Sequence, residues 1–379
     1  MLSNLAKYPA FFGAIFVWGF IWSWMRLIRW FIPVDVTPND ILRPYMGVTP
    51  ETNPWLEIWQ RWDVLHYQAI AERGYLAFDT ALFTPPLYPF LMKIFGVFFD
   101  NNTLLSGLFI SGLCFIASVI SIEKLAQYEF GDEAFSQRTM IYLLLFPTSF
   151  FLFAPYTESL FLLGSILCLL ALRKKNWGMA GLWGMLAAAS RLTGALIFFP
   201  VVWCVWQDWK ENRNWQVWFA PFLVFCVSIS FSLYAWLGLG QSFFSPFQAQ
   251  SQRFHGGFSV PAVNIIKALQ QVFTGNYPLT NLFDVIFIVV FFWLGILVWK
   301  QLPKVYAIYY WSFMILYLTR IADVYPLLSM TRYVLILFPA FLILARYGEN
   351  STTHRVIIYL FMLGLLFFSA QFSLWGWVG

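Results

Sequence analysis

Apolar runs alternate with short polar turns along most of this chain, and one long interval breaks the rhythm. A hydrocarbon core about 30 Å thick takes roughly 20 apolar residues to cross as a helix. On that measure spans are expected at about residues 9–30, 104–122, 139–154, 157–172, 177–191, 194–208, 216–238, 282–299, 306–322, 331–346 and 355–375, about eleven in all. The interval at about 31–83 is polar instead. The apolar run 85–99 that follows is only about 15 residues long and is entered through FTPPLYP, Phe83–Pro89. Its prolines disfavour a helix interior, so it is expected as a re-entrant or surface helix. Residues 31–103 then form an outer-face first loop carrying amphipathic helices, within one membrane-embedded domain of residues 1–379.

The densest polar stretch is QRWDVLHYQAIAERGY, Gln60–Tyr75. Asp63, His66 and Tyr67 are three and four residues apart, so a helix places them on one arc of roughly 100°. Trp55, Ile58, Trp59, Trp62, Leu65 and Ala69 form a neighbouring apolar stripe. That pattern predicts a helix lying along the membrane surface with its polar edge turned toward a ligand.

Composition sets the class: 60% of residues are hydrophobic and 11% charged, against about 25% charged in soluble domains. The mean hydropathy is +0.68. This is an integral membrane protein. A pI of 8.9 would suit a nucleic-acid partner, but the positive charges are scattered between spans, and orientation explains them better. With 85–99 kept from crossing, one side holds Lys7, Lys124, Arg138, Arg173, Lys174, Lys175, Lys210, Arg213, Lys300, Lys304, Arg346 and Arg355. The positive-inside rule makes that side cytoplasmic, with the N-terminus inside and the C-terminus outside. The apolar run Pro9–Trp24 lacks a small-residue cleavage site and does not read as a removable signal. Cys114, Cys168, Cys204 and Cys226 lie in apolar runs and are expected as free, buried thiols. No repeat, and no pair of halves with matching broken helices of the kind many transporters carry, is evident.

Ionisable residues gather at the outer ends of the spans: Glu158 in FAPYTESLF, Arg191 in SRLTG, Arg253 and His255 in QRFHGGF, then Arg320, Asp323 and Arg332. Such groups are costly at membrane depth, so each is a functional candidate. Plainer roles compete. Glu158 can favour a helix N-terminus, Arg191 and Arg332 can snorkel to lipid phosphates, His255 can be an ordinary loop residue, and His66 can sit at the interface. Asp63, embedded among tryptophans, is the strongest candidate. No zinc spacing, HExxH or glycine-rich phosphate loop is present. No cofactor is called for, although Asp35 and Asp40 could join Asp63 around a divalent ion.

RWDVLHYQAIAERGY followed by ALFTPPLYP resembles the signature of the GPI mannosyltransferase II family, the PIG-V-like membrane glycosyltransferases. FPTSFFLFAPYTESLF, ASRLTG and TRYVLILFPAF match further in the same order, so the resemblance runs from about residue 59 to 342. The chain departs from the family in FTPP for the usual FFP, and in Thr193 where eukaryotic members have Asn. It is also shorter than eukaryotic members, which points to a bacterial relative. The resemblance implies a GT-C-type bundle that moves a hexose, typically mannose, from a polyprenyl phosphate to a lipid-linked or glycan acceptor. The site would face the non-cytoplasmic side of the plasma membrane (or of the ER, in a eukaryote).

The resemblance makes Asp63 the essential acidic residue. The chemistry then asks for a carboxylate to take the acceptor's proton and for cations on the departing phosphate. Arg191, Arg253 and Arg332 are the candidates for the latter, and His66, Tyr67, Glu158 and His255 for binding the sugar or acceptor. A lipid-linked sugar flippase or other transporter is the alternative, and it should need charges at mid-membrane. The topology has a direct test: a cysteine replacing Thr80 should react with an impermeant maleimide added outside, and protection there would overturn the assignment of the first loop.

Overall fold

Backbone N–H and C=O groups in hydrocarbon must be satisfied within the segment, which leaves helices as the natural answer for this composition. The computed structural model describes residues 9–39 and 43–378; Lys7 and Asp40 lie outside the described residues. In chain order the helices are α1 (Pro9–Phe31), α2 (Asp63–Arg73), α3 (Leu87–Gly96), α4 (Thr103–Phe130), α5 (Glu133–Leu145), α6 (Glu158–Arg173) and α7 (Trp177–Ser190). They continue with α8 (Phe198–Asn212), α9 (Phe219–Leu237), α10 (Ser245–Phe254), α11 (Val263–Thr274), α12 (Pro278–Gln301) and α13 (Lys304–Thr319). The last are α14 (Met330–Tyr333), α15 (Pro339–Tyr347) and α16 (Ser351–Ser373). Two short strands, β1 (Gly256–Phe258) and β2 (Arg320–Ala322), pair antiparallel with Gly256 opposite Ala322 and Phe258 opposite Arg320. The chain is an all-α, multi-pass membrane protein.

Among the described residues, six helices are long and apolar enough to cross a bilayer: Pro9–Phe31, Thr103–Phe130, Leu192–Asn212, Trp215–Leu237, Pro278–Gln301 and Ser351–Ser373. Met330–Ile336 and Pro339–Tyr347 make a seventh only if counted together across an 87° bend. The other four expected spans are shorter. They are α5 (13 residues), α6 (16), α7 (14) and α13 (16). Local chemistry shortens them: Pro147 follows the end of α5, and Ser149–Leu152 is a separate 3₁₀ turn. The expected span 306–322 ends at Thr319 because residues 320–322 become β2. Leu87–Phe99 is a short apolar helix below span length, with Phe90 and Ile94 exposed and Tyr88 and Met92 buried.

The chain divides into two compact units. One comprises residues up to Ala81, Leu87–Leu163 and Leu344–Val378. The expected long surface helix in its first loop is two elements: a 3₁₀ turn, Glu57–Trp59, and α2. Nor does α2 lie with one face open, since every residue from Val64 to Ala71 is buried. Trp59 packs with Trp22, Phe153 and Phe372, ring centroids 5.6, 5.8 and 6.2 Å away. Between the 3₁₀ turn and α2 stands Arg61, with no exposed surface. Its guanidinium donates to the carbonyls of Phe372 (3.0 Å) and Ser373 (2.5 Å) and to Glu57 Oε1 at 2.8 Å. Arg29 reaches the other oxygen of Glu57 at 3.3 Å. Burial lowers the Arg61 pKa to about 10, with Glu57 opposing the shift, so the cation persists at neutral pH.

The rest of the loop is held by carboxamides. Gln60 accepts from the Glu51 N–H and donates to the Thr49 carbonyl and to Gln68. Gln68 donates to Thr103, whose hydroxyl donates to Glu72.

The second unit comprises Leu82–Pro86 and Gly164–Ile343. Small residues of α7 (Ala180, Gly181, Gly184, Ala187 and Ala188) are buried, and side chains this small let helix backbones approach closely. Tyr309 and Tyr310 of α13 are fully buried and donate to the carbonyls of Ile336 (2.9 Å) and Phe291 (2.5 Å). All four cysteines are free, as expected, but only Cys168 is buried; Cys114, Cys204 and Cys226 are half-buried.

Without the Arg61 guanidinium, Glu57 is left with Arg29 and the buried carbonyls of Phe372 and Ser373 lose their donor, and a buried acceptor left unsatisfied costs about 1–3 kcal/mol. Arg61→Met should therefore lower the thermal unfolding midpoint in detergent clearly, and an unchanged midpoint would show that the Glu57–Arg61 contact does not hold the loop.

Candidate active site

Asp63 is the first residue of α2, half-buried, where a carboxylate is favoured by the exposed N–H groups and dipole of the helix start. The residue before it, Trp62, takes φ 56° and ψ −125°, a sparsely populated conformation for a bulky side chain that costs about 1–3 kcal/mol. Its ring is gripped by Trp375 and Trp377, centroids 5.6 and 5.0 Å away. Asp63 therefore follows two residues, Arg61 and Trp62, that are both tied to the C-terminal segment.

The expectation that Asp63, His66 and Tyr67 share a helix holds, and all three lie in the first turns of α2. His66 and Tyr67 are buried. The His66 ring lies 5.3 Å from Phe78, and Tyr67 meets Tyr88 and Tyr156 at 5.4 and 6.1 Å. Glu158 opens α6 and is also buried. In the first unit Glu158 is thus buried while Asp63 is half-buried.

In the second unit Arg191 follows α7 in an extended conformation, φ −147° and ψ 147°. The chain then turns through the 3₁₀ segment Leu192–Ile197. Gly194 makes that turn fit, since a Cβ there would stand 2.4 Å from the Ala187 carbonyl oxygen. The Arg191 and Arg332 guanidiniums both approach the Tyr333 ring, at 5.6 and 5.2 Å from its centroid, so these two predicted cations come together. Arg332 is buried on α14. Asp284, buried in α12, accepts from the Thr331 N–H at 2.8 Å and holds this short turn. Arg253 and His255 lie at the end of α10, flanking Phe254. Arg253 is half-buried, and His255 is an exposed C-cap in the left-handed region, φ 44°.

Arg191 also lines a cavity of about 280 Å³ in the second unit, with Pro85, Pro86, Phe231, Phe254 and Arg320 among its walls. The FTPP run singled out in the sequence contributes two of these walls. Sequence reading passed over Arg61 and Asp284. A single carboxylate in the apolar run FDVIFIVVFFWLGILVW was the signal for Asp284. Arg61 is hidden by its neighbours: nothing local says that its carbonyl partners, Phe372 and Ser373, stand more than 300 residues away.

Among the described residues no three His, Cys, Asp or Glu side chains gather as metal ligands would. Asp35 is engaged by Arg43 at 2.5 Å and by the Thr37 N–H at 2.8 Å. Its pKa is lowered, mostly by the bonds from Thr37. Asp40, the other carboxylate considered beside Asp63, lies outside the described residues.

No protein-family model matches the chain, and no curated protein matches it. Among solved structures it is similar to ArnT from Cupriavidus metallidurans bound to undecaprenyl phosphate. The identity is 14%, over 75% of this chain and 55% of that one, with a TM-score of 0.47. The chain spans about half the length of that structure.

A buried N–H left without an acceptor costs about 1–3 kcal/mol. Asp284→Leu should destabilise the protein by about that much, whereas Asp284→Asn keeps an acceptor oxygen for Thr331 and should cost less. Equal unfolding midpoints for the two variants would refute the holding role of Asp284.

Proposed function

We propose that this chain is a GT-C-type membrane glycosyltransferase that transfers a hexose, mannose on the sequence resemblance, from a polyprenyl-phosphate donor to an acceptor hydroxyl at the non-cytoplasmic face. The observation that carries the reading is Asp63. Its helix is otherwise buried from Val64 to Ala71, its N-terminal turn is strained at Trp62, and Asp63 itself is half-buried. A merely structural aspartate gives no reason to hold such a turn from both sides.

The acceptor hydroxyl oxygen attacks the anomeric carbon, and the bond from that carbon to the phosphate oxygen breaks with its electron pair leaving on the phosphate. Asp63 takes the hydroxyl proton as the new bond forms, which requires contact at roughly 3 Å. The phosphate departs as a stable anion and needs no proton, so one carboxylate suffices. A single displacement of this kind inverts the anomeric centre. Arg191, Arg253 and Arg332 are assigned to the phosphate, whose oxygens suit the planar guanidinium fork. His66, Tyr67, Glu158 and His255 are assigned to the sugar and acceptor. Polyprenyl carbons are matched by the apolar walls of the cavity beside Arg191.

The competing flippase reading asks for a charge free within a span. Asp284 is a buried carboxylate in a span, but it is engaged by the backbone of Thr331.

The test is transfer by purified protein from polyprenyl-phosphate mannose to membrane lipid extracts. Asp63→Asn should lose about 10²- to 10⁴-fold in rate with an unchanged unfolding midpoint. Full activity in that variant would remove Asp63 as the base, and sugar-lipid translocation in liposomes without transfer would favour the flippase.

A further inference from the structure

The cavity beside Arg191 holds a second cation that the assignment above does not use. Arg320 is the first residue of β2, half-buried, and lines the same cavity. Among the described residues no carboxylate lies within ion-pair distance of it. Its guanidinium instead stands 5.4 Å from the Phe254 ring centroid, a contact that holds a cation by its face and leaves its edge for hydrogen bonding.

The backbone under Arg320 is unusually well fixed. Its carbonyl accepts from Asn264 Nδ2 at 2.7 Å, and the same amide donates to the Tyr317 carbonyl at 2.7 Å. Asn264 has no exposed surface. Across the ladder Phe258 pairs with Arg320, and Gly256 lies so close to β2 that a Cβ would meet the Ile321 carbonyl oxygen at 2.4 Å. The two-stranded ladder thus acts as a bracket for one side chain.

The surroundings select the ligand. Two guanidiniums on a wall made mostly of proline, phenylalanine and aliphatic side chains, with Thr193, Ser228, Ser230, Gln250 and Ser251 as its other polar members, suit a molecule with one anionic head and an apolar tail. Phe258, at the cavity edge, is 78% exposed, so the approach is apolar too, as for a ligand arriving from lipid.

We infer that Arg320, presented by the β1–β2 ladder, is a second phosphate-binding cation of this cavity beside Arg191, and that the cavity holds the phosphate end of a polyprenyl phosphate. The inference rests on the lipid-phosphate donor proposed above.

Binding of undecaprenyl phosphate, undecaprenol and inorganic phosphate to the full-length protein in detergent tests it. The wild type should bind undecaprenyl phosphate, and Arg320→Gln should weaken that binding by about tenfold to a hundredfold, the range of a hydrogen bond to a charged group. Arg320→Lys, which keeps the charge and loses the fork, should fall between. Gly256→Ala, which pushes β1 off Ile321, should weaken binding with Arg320 intact. Undecaprenol should bind wild type and Arg320→Gln alike, and inorganic phosphate should not displace the lipid at equal concentration.

Equal undecaprenyl phosphate binding by wild type and Arg320→Gln would overturn the role of Arg320 while leaving the donor reading in place. An equal loss of undecaprenol binding would make Arg320 a wall of the cavity rather than a phosphate ligand. Displacement by inorganic phosphate at equal concentration would overturn the lipid assignment. A wild type that binds no undecaprenyl phosphate would remove the donor reading and this inference together.

Discussion

The arrangement around Asp63 depends on one buried cation. Arg61 has no exposed surface and spends its donors on two carbonyls at the end of α16 and on Glu57. A guanidinium in such a place is tolerated only because it is paired and hydrogen-bonded. Once there it fixes the chain at both ends of the contact, because carbonyl acceptors at a helix C-terminus have a set direction. Trp62 adds a second tie through Trp375 and Trp377. The strain at Trp62 is the cost of a turn that starts α2 abruptly at the half-buried Asp63, and the tryptophan contacts offset it.

The second unit uses the same economy. A buried carboxylate, Asp284, is spent on a backbone N–H so that a turn of four residues can carry Arg332 to the ring that Arg191 also approaches. A buried amide, Asn264, is spent on two carbonyls so that Arg320 sits at a defined place on the cavity. In each case a polar group that membrane composition makes expensive holds backbone, and the backbone presents a cation. Hydrogen bonds of this kind, made in a low-dielectric interior, stiffen the backbone they hold.

Several readings of the linear chain survive contact with the structure. The helix carrying Asp63, His66 and Tyr67 is present, the proline run ahead of residue 87 ends outside any long span, and the four thiols are free. The surface helix did not survive, because Val64 to Ala71 alternate in polarity as a surface helix would and are nevertheless all buried. Gln68 explains why: its amide is satisfied by Gln60 and Thr103, so a residue that reads as solvent-facing is internal. The even series of long spans also failed, since hydropathy averages over residues and does not register the chain breaks at Pro147, Leu337–Phe338 and Arg320.

What the sequence alone determined is the class and the candidate chemistry. A chain with 60% hydrophobic residues and 11% charged residues has no stable option in water, and its few ionisable groups at span ends must be paired or functional. Those are consequences of solvation, which is local and additive along the chain. Only the tertiary structure decided which of those groups do structural work. Arg61 and Asp284 bind backbone, Arg191 and Arg332 share one ring, and Arg320 lines a cavity because residues 256–258 lie beside it. Such pairings join positions tens to hundreds of residues apart, and no local pattern encodes them. They follow from hydrogen-bond satisfaction across the whole fold, which is settled only when every helix has its place.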